Sequence, residues 1–172
     1  MSQRLFRVAL SFALLGNICQ VMAQSQIDQA VVEKSLTVVP LPKSPPQKAD
    51  LFAFEPSASS RTLQFFLDPK NISVEKDIVR YVVVIRNPEG GEQILYAGID
   101  CDQSQKILYG FLLPDNNWQR TINPTWQNIM PAGYNNYPRY LQSKGMCVGN
   151  SANSNVAEMI QILKSNDFKP KF

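Results

Sequence analysis

Val82, Val83, Val84 and Ile85 stand in one unbroken run. β-branched side chains lose χ1 freedom in a helix and fit the pleat of a sheet, so the run predicts a strand from Val79 to Arg86. Alternation puts Tyr81, Val83 and Ile85 on one face and Val82 and Val84 on the other. Apolar residues on both faces predict a central strand, with Arg80 and Arg86 at its ends in reach of water.

The neighbouring segments read as partners of that strand. Asn87-Pro88-Glu89-Gly90-Gly91 has the chemistry of a turn, because proline presets φ and glycine permits positive φ. Gln93 to Cys101 then alternates Leu95, Ala97, Ile99 and Cys101 against Ile94, Tyr96 and Gly98. A polar turn at Asp102 to Gln105 leads into Lys106 to Leu113, where Ile107, Tyr109, Phe111 and Leu113 are expected on one face. Three strands joined by short turns make an antiparallel meander. Upstream, Leu51 to Phe54 reads as an edge strand, and Leu63 to Asp68 as a strand closed by Pro69. Ile72 to Val74 is a further short apolar piece.

Downstream, Pro138 to Lys144 suits a helical turn ended by Gly145. Ser154 to Ser165 predicts an amphipathic helix with Ser154 as N-cap. Val156, Met159, Ile160 and Leu163 recur at the spacing of one apolar stripe. The expected fold is α+β: an antiparallel sheet of about five strands with a C-terminal helix packed on one face, in a single domain over residues 50–172.

The first 23 residues have the three parts of an export signal. Arg4 and Arg7 give a positive start, Val8 to Gly16 an apolar run, and Val21-Met22-Ala23 a processing site before Gln24. The apolar run is shorter than the roughly 20 residues that span a bilayer, so no transmembrane segment is expected after cleavage. Cys19 raises a lipoprotein alternative, which the bulky Ile18 before it disfavours. The expected location is the periplasm. Residues 24–49 read as a flexible linker, because Pro40, Pro42, Pro45 and Pro46 break helix and central strand and favour extended conformation.

Without the signal, Cys101 and Cys147 are the remaining cysteines and have only each other, which predicts a structural disulfide in an oxidising compartment. The 17 basic and 14 acidic residues fall to 15 and 14 once Arg4 and Arg7 are removed. That near-neutral balance excludes a nucleic-acid partner as the leading reading. The chain has no histidine, which removes Ser-His-Asp and Cys-His catalysis and His-ligated zinc. No metal and no cofactor are expected.

Two constellations remain. Asp100 and Asp102 flank Cys101, and on a continuous strand both carboxylates would share a face, as an acid pair for hydrolysis would require. Trp118, Trp126, Tyr134, Tyr137, Arg139 and Tyr140 lie in an amide-rich segment. Aromatic faces beside amides suit flat polar ligands such as sugars, and also protein partners.

The order Val79-Arg80-Tyr81-Val82-Val83-Val84, a glycine turn, Tyr96-Ala97-Gly98-Ile99-Asp100-Cys101, Leu108-Tyr109-Gly110, Trp118 and a closing Cys147 resembles the cryptic neisserial protein one-like family. Its members are small exported proteobacterial proteins. The resemblance implies location and fold rather than chemistry. The expected role is a non-enzymatic binding or interaction module of the envelope, meeting a protein or glycan through the Trp118–Tyr140 segment. The alternative is a carboxylate-dependent hydrolase of envelope glycans using Asp100 or Asp102.

Overall fold

The computed structural model describes residues 39–56, 62–131 and 136–165. The expected signal, Cys19, the start of the linker and Tyr134 lie outside the described residues. Five principal strands follow one another: β1 (Phe52–Phe54), β2 (Gln64–Glu75), β3 (Ile78–Arg86), β4 (Glu92–Asp100) and β5 (Gln105–Leu112). Two short strands, β6 (Trp118–Arg120) and β7 (Gln127–Asn128), both pair with β5. All pairings are antiparallel, and the spatial order β1-β2-β3-β4-β5-β6 repeats the chain order. The rest is a short helix α1 (Tyr137–Leu141), a wide π-type turn (Gln142–Met146), the hairpin β8 (Cys147–Val148) and β9 (Ser151–Ala152), and the helix α2 (Val156–Ser165). The α+β expectation holds, with more strands than the five expected.

The valine run is the centre of the sheet. β3 lies between β2 and β4 in continuous register, with Tyr81 opposite Ala97 and Val82 opposite Tyr96. Val82 and Val83 are fully buried on opposite faces. The Asn87–Gly91 turn forms as its sequence predicts: Gly90 has φ of 85°, and the Gly91 amide donates to Asn87 Oδ1 at 2.6 Å.

One face of the sheet carries the main core. Phe65, Leu67, Val79, Tyr81 and Ile99 meet Leu141, Met146, Met159 and Leu163 of the helical segments. Of the α2 stripe, Met159 and Leu163 are buried, and Val156 and Ile160 pack at its margin. The helix cap sits one residue later than expected. Asn155, not Ser154, accepts the Glu158 amide at 3.1 Å, so Asn155 serves the orphan donor of the first turn. Cys101 and Cys147 form the disulfide, with Cα atoms 5.6 Å apart, and tie the end of β4 to the hairpin after the π-type turn. Gly145, at φ of 148°, allows that turn and lies against Ile162 and Leu163 of α2.

The other face has its own cover. Val82, Tyr96, Ile107 and Tyr109 cluster with Val39, and Leu41, Ile94, Trp118 and Trp126 pack at the edge. Residues 39–49 were expected to be part of a flexible linker, with the domain starting near Asp50. The compact unit instead begins at Val39. Arg120 Nη1 donates to the Val39 carbonyl at 2.8 Å, and Trp118 Nε1 to the Ser44 carbonyl at 3.4 Å. An extended proline-rich segment offers unpaired carbonyls, and edge residues of β6 use them.

Three further expectations are corrected. Pro69 does not end β2. It sits at a register shift between Asp68 and Ser73, where a missing N–H costs no ladder bond. Buried Asp68 takes over, accepting the Lys70 amide at 2.9 Å and Asn71 Nδ2 at 2.7 Å. In β5, a second register shift leaves Tyr109 as the extra residue. Ile107 pairs with Gly98 and Leu108 with Ala97, but Gly110 pairs with Tyr96 and Phe111 with Leu95. Directly paired residues share a face, so Phe111 lies on the face opposite Ile107 and Tyr109. Arg80, expected to reach water, is largely covered: its side chain is 12% exposed, and it pairs with Glu75 at 2.7 Å.

Candidate ligand cavity

The expected aromatic site is divided between the two faces of the sheet. Trp118 packs edge-on against Tyr96 with ring centroids 6.3 Å apart, and Trp126 joins the same second-face cluster. Tyr137 lies 5.6 Å from Phe65, and Tyr140 stacks on Phe54 at 5.6 Å, both on the helix face. Arg139 is exposed on α1. These rings serve the two cores and do not form one contiguous surface.

The two aspartates are separated as well. Asp100 is buried at the end of β4 and accepts the Gln103 amide at 3.0 Å, which holds the turn. Asp102 lies in that turn, exposed, and accepts from Gln103 Nε2. The strand ends at Asp100, so the period-2 argument that would align the two carboxylates does not apply.

What the fold does assemble is a cavity of about 310 Å³ on the helix face over β4 and β5. Its floor is Tyr81, Leu95, Ala97 and Leu108. Thr121, Asn123, Pro124 and Thr125 of the loop between β6 and β7 form one wall, and Tyr137 and Pro138 of α1 another. Lys106 and Gln127, opposite each other in the β5–β7 pair, close the remaining side. The loop is fixed at its start by the Thr121 amide, which donates to the Tyr109 carbonyl at 2.9 Å. Positive φ at Asn123, 50°, turns it, a conformation asparagine tolerates better than most residues. Ala97 keeps the floor open, being the smallest side chain opposite Tyr81.

The polar content of this cavity is distinctive. Thr121 Oγ1 is buried without a hydrogen-bond partner among the described residues, and Tyr81 Oη is buried beside the Tyr137 hydroxyl, with which it interacts. A buried hydroxyl without a partner is rare in native interiors, because it forfeits its hydration without return. Burial pushes the Tyr81 hydroxyl well above its ordinary pKa and the Tyr137 hydroxyl up to about 12, so both stay protonated. Among the described residues, Lys106 is the one charged residue of the lining and no carboxylate lines it. Its ammonium makes no hydrogen bond or ion pair among the described residues.

Sequence reasoning named Tyr137 as a candidate and passed over Tyr81, Lys106 and Thr121. Tyr81 interrupts a valine-rich strand with a polar tip, and that was the available signal. The pairing of Thr121 and Lys106 with it depends on how the β6–β7 loop folds back along β5.

A disulfide-tied antiparallel sheet, with helices on one face and an extended strap on the other, defines a small α+β domain with an open pocket over β4 and β5. Residues 29–164 match the model of the CNP1-like family, and the chain belongs to that family. Neither the comparison with curated proteins nor that with solved structures gave a match.

Proposed function

We propose that this chain is an exported, non-enzymatic binding protein of the periplasm, and that its site is the cavity over β4 and β5. The observation carrying the reading is a pocket within the size range of small-ligand sites, with an apolar floor and polar side chains on its walls. Among the described residues no carboxylate lines the cavity and Asp100 is engaged in its own turn, which favours binding over hydrolysis. The signal pattern of residues 1–23 supports export, and the disulfide suits an oxidising compartment. Among the described residues no helix is long and apolar enough to cross a membrane.

Amide NMR of the labelled protein titrated with a fragment library tests the site. Hits are expected to perturb Ala97, Leu108 and Thr121 and to vanish in Ala97→Phe, which fills the floor. Hits confined to the Trp118 face would move the site there. Turnover of an envelope glycan that dies in Asp100→Asn would replace binding with hydrolysis. For the location, osmotic-shock release of a chain beginning at Gln24 is expected, and retention of full-length protein in the cytosol would sink it.

A further inference from the structure

We propose that the second face of the sheet is a recognition groove for the proline-rich segment of a partner protein, and that residues 39–46 are its built-in placeholder. This goes beyond the cavity over β4 and β5, which lies on the helix face. The groove is aromatic: Tyr96, Tyr109, Trp118 and Trp126 belong to the cluster around Val82 and Ile107. Aromatic grooves take proline-rich chains well because proline has already fixed much of the backbone, so little entropy is lost on docking.

The strap has that chemistry. Val39, Leu41 and Ser44 each precede a proline, which restricts them to extended conformations. Val39 and Leu41, two residues apart, both pack into the cluster. The groove also takes two carbonyls of the strap. Arg120 Nη1 donates to Val39 at one end, at 2.8 Å. Trp118 Nε1 donates to Ser44 at the other, at 3.4 Å, where the strap bends through Lys43 and Ser44.

This attachment is of a kind that can be exchanged. Among the described residues no main-chain hydrogen bond joins residues 39–46 to the sheet. Leu41, Pro42, Pro45 and Pro46 are only half-buried, and the strap leaves the groove through the exposed residues Gln47 to Ala49. The fit therefore rests on two apolar side chains and two donors. A segment of the pattern apolar-Pro-apolar-Pro from another chain would satisfy the same groups. The tethered strap competes at an effective concentration of about millimolar, so a partner enters where it fits better or is locally concentrated.

The test is complementation with a synthetic peptide of residues 39–47, fluorescein-labelled for polarisation and unlabelled for tryptophan emission. In the full chain carrying Leu41→Asp, which loosens the placeholder, the peptide is expected to bind and to return the emission to its wild-type wavelength. It should bind that chain at least roughly 10-fold more tightly than wild type, whose own strap competes. A peptide carrying the same Leu41→Asp change should bind neither chain. No binding to the loosened chain, or equal binding to both chains, would overturn the inference. Should the loosened chain fail to fold, a protease site inserted after Gln47 in the otherwise wild-type chain replaces it. After cleavage the labelled peptide is expected to exchange with the severed strap, and a strap that does not exchange would overturn the inference. A wild-type dimer that forms with rising concentration and dissolves on adding the peptide would assign the groove to a second copy and overturn the partner.

Discussion

The guanidinium of Arg120 donates to the main-chain carbonyl of Val39 at 2.8 Å, closing a span of 81 residues. That bond fastens the N-terminal strap to the short edge strand β6. Without the strap, Val82, Tyr96, Ile107 and Tyr109 would lose their cover.

Both tryptophans of the chain pack on the strapped face, so intrinsic fluorescence reads the strap directly. Leu41→Asp is expected to red-shift the emission and increase acrylamide quenching while the helical circular dichroism is kept. Arg120→Ala should cost only about 1 kcal/mol in urea unfolding, because the arginine is exposed. An unchanged spectrum in Leu41→Asp would show that the strap does not shield these rings in solution.

At Gly110 the strap lies against the sheet. A Cβ there would lie 2.6 Å from the Gln119 carbonyl oxygen and 2.9 Å from Leu41 Cδ2. Gly110→Ala must push β6 or the strap away, at a cost of about 1–3 kcal/mol, the range for overpacking a filled site. Thermal unfolding of Gly110→Ala at the wild-type temperature would contradict the packing.

The disulfide joins residues 46 apart. Constraining the unfolded chain over a loop of that length is worth about 4 kcal/mol in the chain-entropy model. Cys101→Ser with Cys147→Ser should therefore lower the urea midpoint substantially, and wild type in reductant should approach the same value. Since α1 and the π-type turn lie inside that loop, hydrogen exchange is expected to speed up there first.

Tyr137 carries a pKa raised to about 12, and Tyr81 is shifted in the same direction, both chiefly by burial. The folded state therefore holds these protons more tightly than the unfolded state, whose tyrosines titrate near pH 10. Their contribution is fully present below about pH 10 and is lost as pH rises toward 12 and beyond. In that window stability should fall by up to about 1.4 kcal/mol per pH unit for each such tyrosine. Phenolate absorbance followed alongside denaturant melts checks this. Full ionisation of all tyrosines at pH 10.5 in the folded protein would refute it.

The meander was legible because its signals are local. The valine run, the Asn87–Gly91 turn and the α2 stripe each rest on the conformational preferences of adjacent residues, and each appears where those preferences put it. The register of β5 was less legible. Alternation assumes period 2 throughout, and the extra residue at Tyr109 reverses the faces beyond it. Gly98 accommodates that bulged ring, since a Cβ there would come within 2.9 Å of Tyr109 Cε2.

The sequence by itself determined the sheet, its central strand, the capping helix and the identity of the disulfide partners. These follow from backbone propensity, apolar periodicity and the count of cysteines. Only the tertiary structure decided that the proline-rich segment from Val39 is a strap over the second face, because proline composition specifies an extended shape and not its contacts. The same holds for the cavity. Tyr81, Lys106, Thr121 and Tyr137 come from separate elements, and long-range packing puts them together.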